Sequence, residues 1–277
     1  MDKVRPKELV IEAGRTDKYY WQDLWRYREL LYFLAWRDIL ARYKQTVIGI
    51  LWAVIRPLIT MLIFTFIFGR LAELPSEGVP YPILVYAALL PWQFFASSIT
   101  SCSNSLVGNS GLISKVYFPR LIIPVASISV SFVDFLVSGM VLLGLMTWYV
   151  YVPSWRIIFL PFFIVIAAGA ALGGGLWIAA LNVKYRDFKN IMTYIVQVGA
   201  YISPVGFSSS IVPEKWRLLY SLNPMVGVID GFRWAILAGD TKLFIPGFLL
   251  SIGFVILVLI SGIWFFRKTE RTFADII

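Results

Sequence analysis

The chain of 277 residues contains 59% hydrophobic and 15% charged residues, carries a formal net charge of +9, and has a mean hydropathy of +0.76. A soluble domain cannot cover its surface with so few charges, so the composition predicts an integral membrane protein. The sequence has no histidine and a single cysteine, Cys102. An intrachain disulfide is therefore excluded, as are a histidine general base and a histidine-ligated metal site.

The first 46 residues are predicted to form a cytoplasmic tail followed by an amphipathic helix. Residues 1–21 are polar and charged, with no apolar stretch long enough for a signal peptide. From Gln22 to Lys44 the periodicity is helical and separates an aromatic stripe from a basic one. The aromatic stripe holds Trp25, Tyr32, Trp36, Ile39 and Tyr43, and the basic stripe holds Arg26, Arg37 and Lys44. This pattern is typical of a helix in the lipid headgroup layer, and an ordinary helix packed on protein is the alternative.

Residues 47–277 are predicted to form one all-α membrane domain with six transmembrane helices, because a span needs about 20 mostly apolar residues. The apolar runs lie at about 47–69, 83–107, 121–148, 157–181, 190–207 and 243–266. The fifth run is short. The amphipathic segment that follows it, Ser208 to Lys242, is interrupted by Pro213 and Pro224, which predicts two short re-entrant or interfacial helices. Gly169 and Gly173 in the fourth run have a spacing that favours close helix packing.

The distribution of Lys and Arg predicts the orientation in the membrane. The N-terminal tail, the loops at 108–120 and 182–189 and the C-terminus contain eighteen of these residues, whereas the opposite face contains six. The positive-inside rule therefore places both termini in the cytoplasm. The basic excess is explained by this topology and by anionic lipid, so no nucleic-acid partner is expected.

Two charges lie inside predicted spans, Arg56 in the first and Asp134 in the third. At about 1.5 Å per residue, Arg56 lies roughly 16 Å from the cytoplasmic end of its span and Asp134 roughly 20 Å from the start of its own. Isolated charges at this depth are costly. An intramembrane ion pair between the two residues, or exposure of both to a wet channel, is therefore predicted.

Four separated motifs resemble those of the membrane subunit of ABC exporters of the polysaccharide, O-antigen and teichoic acid type. In chain order they are RDILARYKQTVIGILWAVIRPL at 37–58, SKVYFPRLIIP at 114–124, NVKYRDFKNI at 182–191 and NPMVGVIDGFRWAIL at 223–237. Their order and their places in a six-span topology extend the resemblance over nearly the whole chain. Arg56 departs from the pattern, in which an uncharged polar residue is expected before Pro57, and no role is transferred to it.

The resemblance implies a homodimer with two copies of a separate ATPase subunit, which would hold ATP and Mg²⁺. No G-x-x-x-x-G-K-[ST] phosphate loop occurs in the sequence, so this chain is expected to be a transport subunit that carries no cofactor and is not an enzyme. The resemblance also implies a coupling helix at Gly108 to Pro119, with Tyr117 and Phe118 as aromatic anchors in the ATPase. The alternative is a plain turn with its aromatics at the lipid interface. The predicted coupling residues are Ser114, Lys115, Tyr117, Phe118, Pro119 and Arg120.

Three further groups complete the predicted site. Tyr185, Arg186 and Asp187 are candidates for a second cytoplasmic contact, although a basic loop there is also what topology alone requires. By resemblance, the first and fifth spans line the channel. The lining candidates are Phe64, Phe68, Tyr194 and Tyr201, and the external gate candidates are Trp216, Asp230, Arg233 and Trp234.

The sequence therefore predicts a permease subunit in a bacterial plasma membrane that exports a lipid-linked polysaccharide. By resemblance the substrate is O-antigen on a polyprenyl diphosphate carrier, with teichoic acid or capsular polysaccharide as alternatives. A polytopic glycosyltransferase or acyltransferase is disfavoured by the absence of histidine and the scarcity of carboxylates near the spans. A secondary transporter would need coupling residues at midplane and usually more spans, and Arg56 with Asp134 gives little support for one.

Overall fold

The computed structural model describes residues 20–44, 49–76, 78–185, 187–237, 243–270 and 273, and this part of the chain forms eleven α-helices and no strands. The helices are α1 (Tyr20–Arg26), α2 (Arg28–Lys44), α3 (Gly49–Phe64), α4 (Tyr81–Gly108), α5 (Ser110–Ile113), α6 (Ile122–Trp148), α7 (Leu160–Lys184), α8 (Phe188–Ile202), α9 (Glu214–Tyr220), α10 (Pro224–Ile236) and α11 (Ile245–Glu270). The all-α prediction is confirmed.

Five helical stretches in the described residues are long and apolar enough to cross a membrane: Leu51–Leu71, Tyr81–Gly108, Ile122–Trp148, Trp155–Lys184 and Ile245–Glu270. The first of these joins α3 to a π-helical extension, Thr65–Leu71, and the fourth begins with a short 3-10 turn before α7. The helix at the predicted fifth span, α8, has only 15 residues. Its length of about 22 Å is less than the hydrocarbon thickness of about 30 Å.

Helix α4 is the centre of the bundle, and α3, α6, α7, α8 and α10 all pack against it. Its N-terminal half is inaccessible to solvent from Ile83 to Leu90, with exposures of 0 to 4%. A helix that is apolar on all sides belongs inside a protein. The other helices are arranged around α4 for this reason.

Helices α7 and α11 approach each other closely because glycines face each other at their crossing. A Cβ atom on Gly173 would lie 2.7 Å from the backbone N and Cα of Leu259, and one on Gly262 would lie 2.4 Å from the carbonyl oxygen of Gly173. Small residues allow helix backbones to pack in this way. The close packing predicted for the glycines of the fourth span is confirmed at Gly173.

The N-terminal helices lie along the bundle, with α2 packed on α6. Leu34 is the buried residue of α2, whereas Trp25 of α1 and Tyr32 and Trp36 of α2 point outward with exposures of 71, 63 and 50%. The rings of Tyr32 and Trp36 stack with 6.5 Å between centroids. The tryptophans and Tyr32 of the aromatic stripe therefore form an outer surface of the described chain, whereas Tyr43 at its end is half-buried against α6.

Candidate functional site

A groove of about 820 Å³ lies between α3, α4 and α6, next to the C-terminal end of α2. Polar side chains enter it from four helices, although the surrounding helices are apolar. They are Arg42 from α2, Arg56 and Thr60 from α3, Gln93, Ser97, Thr100 and Ser101 from α4, and Ser131, Asp134 and Ser138 from α6. Polar residues inside a membrane bundle indicate a ligand pathway.

The polar side of α4 follows from helical spacing, because Gln93, Ser97 and Thr100 are separated by four and three residues and share one face. Ser97 donates from Oγ to the carbonyl of Gln93 at 2.8 Å, and Thr100 donates from Oγ1 to the carbonyl of Ala96 at 2.7 Å. Both hydroxyl oxygens retain acceptor capacity toward the groove. Sequence reasoning about aromatic residues missed this stripe, although the run of serines and threonines in an apolar helix was its signal.

The opposite wall of the groove is fixed by Pro57, which lies inside α3. A proline has no N–H, so the carbonyl four residues earlier, that of Ala53, loses its partner within the helix. Ser138 of α6 donates from Oγ to this carbonyl at 3.0 Å. The proline thus joins α3 to α6 at the depth of the groove.

The predicted ion pair between Arg56 and Asp134 is wrong. Arg42 Nη2 lies 2.6 Å from Asp134 Oδ2, and the Tyr43 hydroxyl donates to Asp134 Oδ1. The last turn of α2 packs against α6, so Arg42 and Tyr43 occupy the carboxylate oxygens of Asp134 in place of Arg56. The guanidinium of Arg56 lies instead over the Trp52 ring, 5.4 Å from its centroid. Both Arg56 and Asp134 line the groove, which agrees with the alternative prediction that both residues are exposed to a wet channel.

A double-mutant cycle between Asp134 and Arg42 is expected to show coupling that a cycle between Asp134 and Arg56 does not. Asp134→Asn and Arg42→Gln remove the same ion pair, so their effects on the free energy of unfolding should be non-additive by about 1 kcal/mol, given that Arg42 is partly exposed. Unfolding in detergent measures each variant. Additive effects for Asp134 with Arg42, and coupling for Asp134 with Arg56, would contradict the observed pairing.

The segment between α4 and α6 contains the predicted coupling residues, but the predicted helix from Gly108 to Pro119 is not formed. Only the single turn of α5 is helical, and the chain from Lys115 to Pro119 is irregular. Pro119 therefore ends no helix and instead precedes the start of α6. Ser114, Lys115 and Tyr117 are exposed, the last by 62%.

Phe118 is not a surface anchor, in contrast to the prediction. It is 3% exposed and packs in a hydrophobic cluster that also holds Leu121, Phe266 and Phe273. The neighbouring side chains lie on different sides of this irregular segment, with Tyr117 at the surface and Phe118 in the cluster. Val116, exposed by 52%, accompanies Tyr117 on the outer surface.

The same segment is held by the C-terminal end of α11, a contact that sequence reasoning missed. The backbone N–H of Arg120 donates to Glu270 Oε1 at 2.7 Å, and its guanidinium donates to the Glu270 carbonyl. The Tyr20 hydroxyl donates to Glu270 Oε2 at 3.0 Å. Glu270 thus joins α1, the segment before α6 and the end of the last long helix. An acidic residue among Arg267, Lys268 and Arg271 was the signal in the sequence.

The predicted second cytoplasmic contact lies between α7 and α8. Tyr185 is 51% exposed, its ring lies 6.3 Å from that of Phe188, and Lys184 Nζ lies 5.3 Å from its centroid. Asp187 is the residue immediately before α8. Arg186 lies outside the described residues. The exposed tyrosine places an aromatic surface on this connection as well.

Three of the four predicted channel-lining residues come together. The Phe64 ring lies 5.5 Å from that of Phe68 and 6.4 Å from that of Tyr201, and Phe68 lies 6.4 Å from Phe207. Tyr194 is 68% exposed and lies two turns earlier on the same face of α8 as Tyr201. The α3 extension and α8 therefore form a shared aromatic surface.

The predicted gate residues are distributed over α9 and α10. Arg233 is buried, and it donates from Nη1 to the Phe207 carbonyl at 2.7 Å, from Nη2 to Val205 at 3.1 Å and from Nε to Leu84 at 3.3 Å. It therefore joins α10 to α4 and to the chain after α8. These hydrogen bonds hold the irregular backbone after α8 in place.

The other three gate candidates lie around these hydrogen bonds. Trp234 packs on Phe159 at 5.8 Å and lies under the guanidinium of Arg156 at 5.0 Å. Trp216 is 53% exposed on α9, and Asp230 lines a small cleft with Arg217 and Tyr220. The four residues thus occupy the same region of the fold without forming one cluster.

Long apolar helices with a polar groove between three of them are typical of a membrane transport protein. The family model described as ABC-2 type transporter matches residues 29–237, and the chain belongs to that family. Members of the family are transport subunits, and ATP is hydrolysed by a separate ATPase. The prediction of a transport subunit of this kind is confirmed.

Individual relatives match over most of the chain. The O-antigen export system permease protein RfbA of Klebsiella pneumoniae is 29% identical, over 90% of this chain and 95% of the relative. A protein of the same name from Myxococcus xanthus is 28% identical, over 76% of this chain and 82% of the relative. The polysialic acid transport protein KpsM of Escherichia coli is 22% identical, over 85% and 91%.

Proposed function

We propose that the chain is the permease of an ATP-driven exporter that moves a lipid-linked polysaccharide out of the cytoplasm, with O-antigen on a polyprenyl diphosphate carrier as the substrate. The observation that carries the proposal is the match to O-antigen export permeases along 90% of the chain. The polar groove supports it, because sugar hydroxyls need hydrogen-bond partners inside the bilayer.

In the proposed topology α8 is the fifth of six spans, and residues 47–277 form a single transmembrane domain with both termini in the cytoplasm of a bacterial inner membrane. Helix α8 is short, and the apolar chain after Ile202 completes the span as a turn instead of as helix. Val205 in that stretch is fully buried. Helices α9 and α10 form the external gate, which Arg233 anchors. Helices α1 and α2 lie at the cytoplasmic membrane surface, where the exposed tryptophans contact headgroups.

The proposed assembly is a homodimer with two ATPase subunits, which hold ATP and Mg²⁺. The surface formed by Phe64, Phe68 and Tyr201 is exposed or half-buried in one chain and faces the second copy across the channel. The outer surface at Val116 and Tyr117, with Tyr185 as a second contact, faces the ATPase. Exposed aromatic residues are the expected anchors of such a contact.

Deletion of the gene with plasmid complementation tests the proposed function. Cells without the chain should accumulate lipid-linked glycan on the cytoplasmic side of the membrane, and the wild-type copy should restore surface glycan. Normal surface glycan in the deletion strain would contradict the proposal.

A capsular polysaccharide is the second candidate substrate, and the relative named as a polysialic acid transport protein favours it. Teichoic acid is the third. The chemical identity of the accumulated glycan distinguishes them, because each class has its own sugars and its own carrier.

A further inference from the structure

We propose that Arg56 binds the diphosphate headgroup of the lipid carrier inside the groove between α3, α4 and α6. This inference deepens the proposed function and rests on it. It assigns a ligand to a charge for which the family resemblance supplied no role.

Arg56 is an exposed cation in a helix whose other residues are all uncharged. No carboxylate of the described residues lies within ion-pair distance of Arg56. Its guanidinium lies over the face of the Trp52 ring. Stacking on an aromatic face occupies the plane of a guanidinium and leaves the N–H groups at its edge free to donate. These donors match the oxygens of a phosphate group.

The charges around the groove favour an anion. Asp134 is the one carboxylate among the described residues that line it, and Arg42 and Tyr43 already satisfy that carboxylate. The lining therefore has a net charge of one positive unit, located at Arg56. An arginine in the bilayer without a counter-ion is costly, and an anionic ligand removes that cost.

The size and the other walls of the groove fit the rest of a lipid-linked sugar. A volume of about 820 Å³ exceeds what a diphosphate needs and leaves room for the first sugars. Gln93, Ser97 and Thr100 present hydrogen-bonding groups from the α4 side. Ile59 and Trp52 are exposed apolar side chains at the groove, where a prenyl chain can pack.

Lipid binding to the purified complex of permease and ATPase tests the assignment, with undecaprenyl diphosphate and phosphatidylglycerol as probes and native mass spectrometry as the readout. Arg56→Gln should weaken undecaprenyl diphosphate binding about tenfold or more, since a charge-assisted bidentate contact is lost. Arg56→Lys should recover part of the affinity. Arg70→Gln, at the far end of the same membrane-spanning stretch, is the matched control and should bind as the wild type does.

Two outcomes would overturn the assignment. Unchanged diphosphate binding by Arg56→Gln would show that this residue is not the ligand. An equal loss of phosphatidylglycerol binding would show a site for resident anionic phospholipid instead of the carrier. Because Arg56 is exposed, each Arg56 variant should have the melting temperature of the wild type. This measurement shows that a change in lipid binding does not come from unfolding.

The binding test and the export test can contradict the proposed site and the proposed function independently of each other. If cells of the deletion strain export glycan normally while Arg56 still controls diphosphate binding, the proposed function fails and the site stands. If deletion blocks export but Arg56→Gln binds the carrier normally, the function stands and the site fails.

Discussion

Replacement of Gly173 by valine is expected to destabilise the protein by about 3 kcal/mol, because no side chain fits between α7 and α11 at this point. The obstacle is backbone, since a Cβ on Gly173 would lie 2.7 Å from the N and Cα atoms of Leu259. Backbone atoms cannot rotate away as the end of a side chain can. The two helices must separate, which opens the contact between Gly173 and Gly262 as well.

Thermal unfolding of the purified protein in detergent measures the effect. Gly253→Val is the matched control, because Gly253 lies on α11 with nothing within 4 Å of a Cβ at that position. It makes the same chemical change in a similar helix. Because valine has a slightly higher helix propensity than glycine, this variant should be as stable as the wild type or slightly more stable. Equal losses of melting temperature for the two variants would show that the crossing is not limited by backbone contact.

Replacement of Tyr117 by alanine is expected to abolish most ATPase binding and export while the protein stays folded. Tyr117 is 62% exposed beside Val116 on the segment before α6, so its side chain contributes little to the fold. Loss of a central aromatic anchor from an interface typically costs at least about 2 kcal/mol, or roughly 30-fold in affinity. Affinity of the purified permease for its ATPase and export in complemented cells measure the effect.

Phe118→Ala is expected to lower the stability of the fold, in contrast to Tyr117→Ala, which should lower ATPase affinity without unfolding the protein. This ring is 3% exposed among Leu121, Phe266 and Phe273, and its removal from a packed cluster should lower the free energy of unfolding by about 3 kcal/mol or more. Replacing Tyr117 and Phe118 together would therefore combine the loss of a surface anchor with a loss of core packing, and the two effects could not be separated. Tyr149→Ala, an exposed tyrosine after α6, is the control for Tyr117. Normal ATPase affinity in Tyr117→Ala would contradict the docking surface.

The helices of this protein could be predicted from sequence because each long apolar run has one solution in a membrane, a helix with its backbone bonds satisfied internally. The boundaries of α4 and α6 agree with the predicted spans within about two residues. The region of α8 was harder. An apolar run is visible from 190 to 207, but the helix ends at Ile202, where Ser203 adopts an extended conformation. The buried Arg233 donates to carbonyls just beyond this point, a contact that no local pattern reveals.

The site was less predictable because its contacts join distant parts of the chain. Depth along the spans suggested Arg56 as the partner of Asp134, yet the last turn of α2 brings Arg42 there instead. The sequence suggested both Tyr117 and Phe118 as surface anchors, but Phe118 faces inward because it packs with Phe266 and Phe273, about 150 residues later. Glu270 could not be assigned for the same reason.

The most direct test of the account is ATP-dependent translocation of lipid-linked glycan in inverted membrane vesicles that contain this chain and its ATPase. ATP should move the glycan into the vesicle lumen, a vesicle without the chain should move none, and Tyr117→Ala should abolish most of the ATP-driven translocation. Translocation at the wild-type rate in vesicles that lack the chain, or without ATP, would contradict it.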